Sequence, residues 1–342
     1  MTKSDYSTIK HLIQGSGNII ITSHYNPDGD AVGSAMAMYH ALKCINPNVV
    51  VVLPNRFPDF LRWLPGTEDL VIFDQNDQQF MDSIFNKAGI IFSLDYNTPS
   101  RVEKMEQTLR NASATKILID HHPQPDTEAF QFLLSKTSAS STAELVYEFL
   151  EEIELTHCIN KAAAESLYTG IITDTGSFSF ACNNPKTYRI TADLIDKGAV
   201  PERLHRLIYD NYSESRLRLL GHAFAEKLLI FSKYRTAIIS LSKDDLTRFN
   251  YKAGDSEGIV NYPLSIKEIN VSILMTEREG MIRISFRSKG QFAVNQIAQK
   301  YFDGGGHRNA AGGNSYLSME ATIQKIQEIL PLYEDELTYE IE

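Results

Sequence analysis

One histidine and two aspartates lie close together near the N-terminus, in the segment His24-Tyr25-Asn26-Pro27-Asp28-Gly29-Asp30. The segment follows an apolar run and precedes small and apolar residues, an order that predicts a strand, a sharp loop and then a helix. Two carboxylates this close repel each other unless a cation lies between them. Together with the neighbouring imidazole they are typical of a metal site.

Three further apolar runs also end in acidic or histidine residues. These residues are Asp95, the triplet Asp120-His121-His122, and Asp174. In an open α/β sheet the carboxyl ends of parallel strands share one edge, where ligands bind. We therefore predict that these side chains meet there and form a polynuclear metal site.

Carboxylate and imidazole ligands without thiolates suit Mn²⁺ best, with Mg²⁺, Co²⁺ and Zn²⁺ as alternatives. Two ions ~3.5–4 Å apart would share a water molecule, lower its pKa and stabilise both oxygens of a phosphoryl displacement. Asp95 is the natural candidate for a carboxylate that bridges them. The alternative is that each acid caps a helix or closes a turn. Capping, however, does not account for the three histidines.

Short β-rich runs alternate with helical patterns in the first half of the chain, which indicates βαβ units. We expect a mainly parallel sheet with helices on both faces. The predicted strands are 18–22, 49–53, 70–73, 89–94 and 116–119. The predicted helices are 31–44, 141–153 and 160–169.

The pattern changes after Arg189. Residues 201–230 have helical spacing and predict a connector, after which strand patterns return and predict a smaller α/β domain with a mixed sheet. The strands expected there are 236–241, 270–275 and 281–286, with a helix at 293–300. We divide the chain into a metal-binding catalytic domain, 1–195, a helical linker, 196–232, and a substrate-binding domain, 233–342. The acidic end, 334–342, is expected to be a solvated terminus.

A second candidate group lies in the C-terminal domain. It consists of Arg287, Ser288, Gly304, Gly305, Gly306, His307 and Arg308. Glycines allow backbone N–H groups to approach an anion closely, and the two arginines can bind phosphate or stack on a base. A glycine triplet alone is equally typical of a flexible turn, but its neighbours favour nucleotide binding.

The segment 138–144 has two interpretations that the sequence leaves open. Its serines and Thr142 lie at the start of a predicted helix, whose N-terminus could bind phosphate. Ser141 and Glu144 are equally typical of a helix cap.

Bulk composition limits the classes of function. A length of 342 residues predicts two domains, and a net charge of −10 argues against a large surface for long duplex DNA. We find no signal-peptide core and no apolar stretch of the ~20 residues that cross a bilayer, so we expect a cytoplasmic protein with no membrane partner.

The three cysteines have no motif spacing and are expected to be free thiols. A homodimer is compatible with the sequence.

These motifs resemble those of the DHH phosphoesterase superfamily, named after the triplet that stands here as Asp120-His121-His122. The resemblance implies that His24, Asp28 and Asp95 hold one metal ion. It implies that Asp30, Asp95, His121 and Asp174 hold the other. His122 would face the scissile phosphate as a catalytic residue, and Asp120 would orient an imidazole. The glycine-rich segment resembles the DHH-associated C-terminal domain, which binds the nucleotide part of the substrate, although Asp303 stands where many relatives carry glycine.

The resemblance covers nearly the whole chain and is greatest to the oligoribonuclease (nanoRNase) and 3'-phosphoadenosine-5'-phosphate phosphatase type. It implies a Mn²⁺-dependent phosphodiesterase that cleaves short oligoribonucleotides with a hydroxide activated by two metal ions. Phosphatase action on a bisphosphorylated nucleotide is a further expectation. The alternatives are a pyrophosphatase or exopolyphosphatase of the same fold and a non-catalytic nucleotide sensor.

Overall fold

A computed structural model describes residues 1–210, 212–252 and 254–339. The chain divides into two compact units, Met1–Asn211 and Tyr212–Glu342. Within the described residues, no helix has both the length and the apolar character needed to cross a bilayer.

The first unit is an α/β structure. Its strands are β1 (Ile19–Thr22), β2 (Val49–Leu53), β3 (Val71–Ile72), β4 (Ile90–Leu94), β5 (Thr115–Asp120) and β6 (Phe132–Ser135). Its helices are α1 (Lys3–Gly15), α2 (Gly29–Leu42), α3 (Gln78–Asn86), α4 (Glu106–Asn111), α5 (Thr142–Glu152), α6 (Lys161–Asp174), α7 (Pro185–Asp196) and α8 (Pro201–Tyr209).

All strand pairs in this sheet are parallel, in the order β3-β2-β1-β4-β5-β6 among the described residues. Successive residues of β1 face different cores: Ile19 and Ile21 pack on one side and Ile20 on the other. Both faces of the sheet are therefore covered, which explains why the central strands are continuously apolar. The predicted parallel sheet with helices on both faces is confirmed.

Asp174 lies at the end of a helix and not at the end of a strand, so our prediction for this run was wrong. It is the last residue of α6, which packs closely on α2. A Cβ atom at Gly33 of α2 would lie only 2.6 Å from the Ser166 carbonyl oxygen of α6. Residues 170–172 of α6 are buried in this packing and carry no polar side chain, a composition that also resembles a buried strand. Strand β6 was not predicted.

Helices α2 and α6 run antiparallel, and a disulfide links the C-terminal end of α2 to the N-terminal end of α6. Cys44 follows α2 and Cys158 precedes α6, and the two are bonded, whereas Cys182 is a buried free thiol. The expectation of three free thiols was therefore wrong. Spacing along the chain could not reveal this pair, because 114 residues separate its members and only the helix packing brings them together.

We expect the purified protein, denatured without reductant, to expose one thiol rather than three. A crosslink that closes a loop of ~100 residues stabilises a fold by up to about 4–5 kcal/mol in the chain-entropy model. Reductant should accordingly lower the melting temperature of the wild type and leave that of Cys44→Ser unchanged. Titration of denatured protein with a thiol reagent checks the count, and three reactive thiols would contradict the bond.

The second unit is a mixed α/β structure. Its strands are β7 (Leu228–Phe231), β8 (Thr236–Leu241), β9 (Val271–Arg278), β10 (Met281–Ser288), β11 (Gly305–His307) and β12 (Ala310–Ser315). Its helices are α9 (Glu214–Ala225), α10 (Lys243–Arg248), α11 (Val294–Tyr301), α12 (Met319–Ile329) and α13 (Glu334–Leu337). The described strands have the order β11-β12-β10-β9-β8-β7, in which only β8 and β9 pair in parallel. The predicted mixed sheet is confirmed.

Two local predictions in this unit were wrong, and one alternative is excluded. Leu228–Phe231 forms strand β7 and does not continue the helical connector. Gly305–His307 forms a strand at the sheet edge, which excludes the flexible turn considered as an alternative for the glycine triplet. The acidic end includes α13, whose Leu337 is fully buried, so this part is not a solvated terminus. The last predicted tail residues, 340–342, lie outside the described residues.

Candidate metal centre

Three adjacent parallel strands, β1, β4 and β5, carry candidate ligands at their carboxyl ends. His24 follows β1, Asp95 follows β4 directly, and the Asp120-His121-His122 triplet begins on the last residue of β5. Helix α2 begins just after Asp28, and α6 ends at Asp174. The structure therefore brings together all eight side chains that the sequence placed in this site.

Asp95 lies at the middle of the cluster. Its backbone has a φ of +64°, a left-handed conformation that aspartate tolerates better than most residues. Its Oδ2 lies 3.4 Å from His24 Nε2, and its Oδ1 lies 3.6 Å from His121 Nε2. The two oxygens of one carboxylate thus face two different imidazoles, which is the arrangement that a bridging ligand requires.

His24, Asp28 and Asp95 form the first group of ligand atoms. His24 Nδ1 lies 2.9 Å from the Tyr25 carbonyl oxygen, which can only accept, so Nδ1 carries a proton. Burial lowers the pKa of His24 and favours the neutral ring, whose Nε2 then offers a lone pair. Nε2 faces two carboxylates, at 3.4 Å from Asp95 and 3.9 Å from Asp28. A lone pair facing carboxylate oxygens is stable only with a cation between them, so this donor set fits a metal ion.

Asp30, His121 and Asp174 form the second group. His121 Nε2 lies 3.4 Å from Asp174 Oδ2 and 4.0 Å from Asp30 Oδ2. Burial alone would lower the pKa of His121, but the carboxylates of Asp174 and Asp30 outweigh it and raise that pKa. The group therefore attracts positive charge, as a cation site should.

The buried carboxylates give the site a strong preference for cations. Burial raises the pKa of Asp95 well above its usual range, and the charges of Asp30 and Asp28 raise it further. Burial likewise raises the pKa of Asp30. Ionising both groups is costly without nearby positive charge, and a bound divalent ion would provide that charge.

Asp120 contacts His122. Its Oδ1 lies 2.7 Å from His122 Nδ1, and Asp120 itself is fully buried. A buried carboxylate at this distance fixes the orientation of the ring. The imidazole that Asp120 orients is therefore that of His122.

Asp28 caps a helix, as the alternative interpretation predicted, and this role does not exclude metal binding. Asp28 Oδ1 accepts hydrogen bonds from the backbone N–H groups of Asp30 and Ala31, at 3.0 and 3.1 Å, and so caps α2. Its side chain is 48% exposed and also faces His24. One carboxylate therefore begins the helix and faces the site.

The two interpretations of residues 138–144 are now distinguished. Ser141 caps α5 and accepts from the backbone N–H of Glu144 at 3.1 Å. The next two backbone N–H groups, of Thr142 and Ala143, donate to Asp30 at 2.6 and 2.9 Å. The anion at this helix N-terminus is therefore an aspartate of the site, which supports capping over phosphate binding.

Sequence reasoning missed two residues near the cluster. Thr142 donates its hydroxyl to Asp95 Oδ1 at 2.9 Å and is fully buried. Arg101 lies close enough to His24 for its charge to lower the pKa of the ring. A serine- and threonine-rich stretch before a helix was the signal for Thr142. Nothing in the local sequence distinguished Arg101.

The candidate substrate-binding residues lie at one edge of the second sheet. Arg287 of β10 and His307 of β11 both stand opposite Ala310 of β12. Directly opposed residues in antiparallel strands point to the same face, so Arg287 and His307 share a face and are separated by a methyl group. A guanidinium and an imidazole in one row can both contact a nucleotide.

The remaining residues of this group also make local contacts within the second unit. A Cβ atom at Gly304 would lie 2.0 Å from the Gly312 carbonyl oxygen, and Gly306 has a φ of +133°, so both positions require glycine. At Gly305, between them, a Cβ atom would lie 3.8 Å from Gln299 Nε2, an ordinary contact, so this position does not require glycine. The Ser288 hydroxyl donates to the Phe292 carbonyl oxygen at 2.7 Å, and Arg308 Nε donates to the Gln291 carbonyl oxygen at 2.9 Å. The glycine-rich segment, in which we expect backbone N–H groups to bind an anion, therefore forms an edge strand.

Comparison with known proteins agrees with this geometry. Residues 18–171 match the model of the "DHH family, N-terminal domain", and residues 234–337 match that of the "DHHA1 domain". A protein of Bacillus subtilis (strain 168) named "bifunctional oligoribonuclease and PAP phosphatase NrnA" is 30% identical over 305 residues, which cover 89% of this chain and 91% of that protein.

Two solved structures show the same fold. An exopolyphosphatase-related protein from Bacteroides fragilis is 38% identical, with a TM-score of 0.95 over 99% of this chain and 98% of that one. RecJ from Thermus thermophilus in complex with Mn²⁺ is 11% identical, with a TM-score of 0.55 over 99% of this chain and 56% of that one. Shared motifs, domains and fold lead to one assignment: the chain belongs to the DHH family, carries a DHHA1 domain, and is a hydrolase of phosphoester bonds.

Proposed function

We propose that the protein is a Mn²⁺-dependent phosphodiesterase that cleaves short oligoribonucleotides, with additional phosphatase action on 3'-phosphoadenosine-5'-phosphate. The observation that carries the proposal is Asp95, whose two oxygens face His24 and His121. The substrate class is supported by the similarity, over nine-tenths of both chains, to the relative named oligoribonuclease and PAP phosphatase.

Two divalent ions are the cofactors that fit the donor set. His24, Asp28 and Asp95 would hold one, and Asp30, Asp95, His121 and Asp174 would hold the other. Bound together, such ions lower the pKa of water and offset charge on the phosphoryl oxygens. Carboxylate and imidazole ligands favour Mn²⁺, with Mg²⁺ or Co²⁺ as substitutes, and the RecJ neighbour was solved with Mn²⁺.

His122 is the proposed catalytic acid, with Asp120 as its orienting partner. The 2.7 Å contact between Asp120 Oδ1 and His122 Nδ1 holds the ring in one orientation. An imidazolium can protonate the oxygen that leaves when the phosphodiester bond breaks. Asp120 thereby acts through His122 and needs no contact with the substrate.

We assign substrate binding to the C-terminal domain and keep the proposed domains, 1–195, 196–232 and 233–342. Arg287 and His307 share one face of the second sheet, and the proposed binding residues around them are Ser288, Gly304, Gly305, Gly306 and Arg308. We propose a cytoplasmic enzyme that binds neither long duplex DNA nor membranes.

A panel of substrates tests the proposed function. Purified protein with Mn²⁺ would be incubated separately with a diribonucleotide, a long RNA, 3'-phosphoadenosine-5'-phosphate and polyphosphate. We expect the highest kcat/KM for the diribonucleotide and measurable release of phosphate from the bisphosphorylated nucleotide. Equal cleavage of the long RNA, or no cleavage of the diribonucleotide, would contradict the proposal.

An exopolyphosphatase is the second candidate. It is favoured by the description of the 38% identical Bacteroides fragilis structure as exopolyphosphatase-related. Polyphosphate has no base, so its site should be lined by several cationic side chains, whereas the row at Ala310 combines one arginine with one histidine. Preferential release of phosphate from polyphosphate in the same panel would establish this alternative. A non-catalytic sensor is disfavoured because every family metal-ligand motif is present.

We expect Arg308→Ala to reduce kcat/KM for the diribonucleotide about tenfold to a hundred-and-fiftyfold. A lost charge-assisted hydrogen bond costs roughly 1.5–3 kcal/mol, which corresponds to that range. Hydrolysis of a small activated phosphodiester should change little, because such a substrate lacks the remote nucleotide. Arg248→Ala, on the exposed side of α10, is the matched control. Equal losses on both substrates would contradict a role in substrate binding.

A further inference from the structure

We propose that Thr142 is a positioning residue that sets the orientation of the Asp95 carboxylate relative to Asp30. This inference rests on the proposed metal centre and concerns a residue that belongs to none of the family motifs found here. Thr142 is fully buried and is the first residue of α5.

Thr142 contacts both central carboxylates through different atoms. Its backbone N–H donates to Asp30 Oδ2 at 2.6 Å, and its hydroxyl donates to Asp95 Oδ1 at 2.9 Å. Asp30 follows the start of α2 and Asp95 follows β4, so the two carboxylates come from distant parts of the chain. One residue therefore sets the distance between them.

The Thr142 side chain is well suited to hold one orientation. It is β-branched, which restricts its χ1 angle. Its backbone is fixed in turn, because Ser141 caps α5 and the Ala143 N–H donates a further bond to Asp30 at 2.9 Å. Asp30 also accepts from the Ser34 hydroxyl at 3.2 Å, so Asp30 keeps other partners if the Thr142 side chain changes.

The hydroxyl bond to Asp95 has a specific consequence for metal binding. A bridging carboxylate must keep each oxygen directed to a different ion, so rotation about its terminal torsion destroys the bridge. That torsion is broad and weakly restricted for aspartate, and the Thr142 hydroxyl supplies a directional contact to Oδ1. Loss of such supporting bonds typically costs 10–100-fold in metal affinity or activity.

The test compares Thr142→Val with Thr142→Ser. Valine keeps the shape and removes the hydroxyl, whereas serine keeps the hydroxyl and removes a methyl group. We expect Thr142→Val to weaken the second of two Mn²⁺ binding events about tenfold to a hundredfold in calorimetric titration, and to weaken the exchange-coupled electron paramagnetic resonance signal of the ion pair. Thr142→Ser should keep the Mn²⁺ affinity and the resonance signal near their wild-type values.

The control is Thr191→Val, which removes a buried hydroxyl bonded to a helix carbonyl of α7. It should leave the Mn²⁺ affinity and the resonance signal unchanged.

The melting temperature of the metal-free variants distinguishes a role of Thr142 in positioning Asp95 from a role in folding. A purely structural role would lower the melting temperature of metal-free Thr142→Val and leave its Mn²⁺ binding intact once folded, which would overturn the proposal. Equal metal affinities in the valine variant and the wild type would also overturn it. Failure of the wild type to bind Mn²⁺ would overturn both this inference and the metal centre. Wild-type binding of two ions without cleavage of any nucleotide would overturn only the proposed function, because the metal titration uses no substrate.

Discussion

Asp95→Ala should abolish turnover, with a decrease in kcat/KM of at least about a thousandfold, equivalent to about 4 kcal/mol of transition-state stabilisation. The reason is that Asp95 faces both His24 and His121. Removing it should separate the two ion sites instead of weakening one. Asp95→Asn, which keeps the size of the side chain, should show the same loss. Steady-state rates at saturating Mn²⁺ check this prediction, and near-wild-type rates would contradict the two-metal site.

Asp95→Asn, which should abolish turnover, should nevertheless stabilise the fold of the metal-free protein. Burial raises the pKa of Asp95 above its value in the unfolded chain, so the folded protein loses stability as the pH rises from the unfolded pKa through the folded one. Asp95→Asn removes this loss and should raise the melting temperature of the metal-free protein at neutral pH. It should also remove the stabilisation that Mn²⁺ gives the wild type. Asp59→Asn, at an exposed position, is the control for both measurements.

His121→Ala and His122→Ala should fail in different ways. His121 Nε2 lies 3.4–4.0 Å from three candidate ligand carboxylates, so its loss should lower the number of bound Mn²⁺ ions. His122 is oriented by Asp120, so its loss should leave the ions bound and reduce kcat about a hundredfold to ten-thousandfold, the usual contribution of a general acid.

Elemental analysis of the purified variants, together with kcat, decides between these roles. His11→Ala, at an exposed position of α1, serves as the control for removal of a histidine. Equal metal loss in the two site variants would show that His122 is a ligand. Full metal content in His121→Ala would remove His121 from the proposed ligand set.

The local sequence determined the central part of the fold. Apolar runs such as 49–53 have only one stable placement, in a sheet covered on both faces, and strand β2 has these bounds. Because the carboxyl ends of parallel strands share one edge of a sheet, the acids and histidines after the predicted strands 18–22, 89–94 and 116–119 were expected to meet there. The grouping of His24, Asp95 and the Asp120-His121-His122 triplet was therefore available from the chain alone.

Other features depended on contacts between distant segments. Asp174 reaches the site from the end of a helix, because α6 packs against α2 through Gly33. The Cys44–Cys158 bond depends on the same antiparallel pair, and Gly305 and its neighbours form an edge strand because β12 pairs with them.

Thr142 is the clearest example of this difference. Its position at the start of a helix indicated a cap or a phosphate site, and its hydroxyl instead donates to a carboxylate 47 residues earlier in the chain. Hydrophobic periodicity records which face of an element is buried, so the sequence determined the layers and the edge at which the ligands meet. It does not record which polar groups meet across elements, so the pairing of individual donors and acceptors within the site was decided only by the tertiary structure.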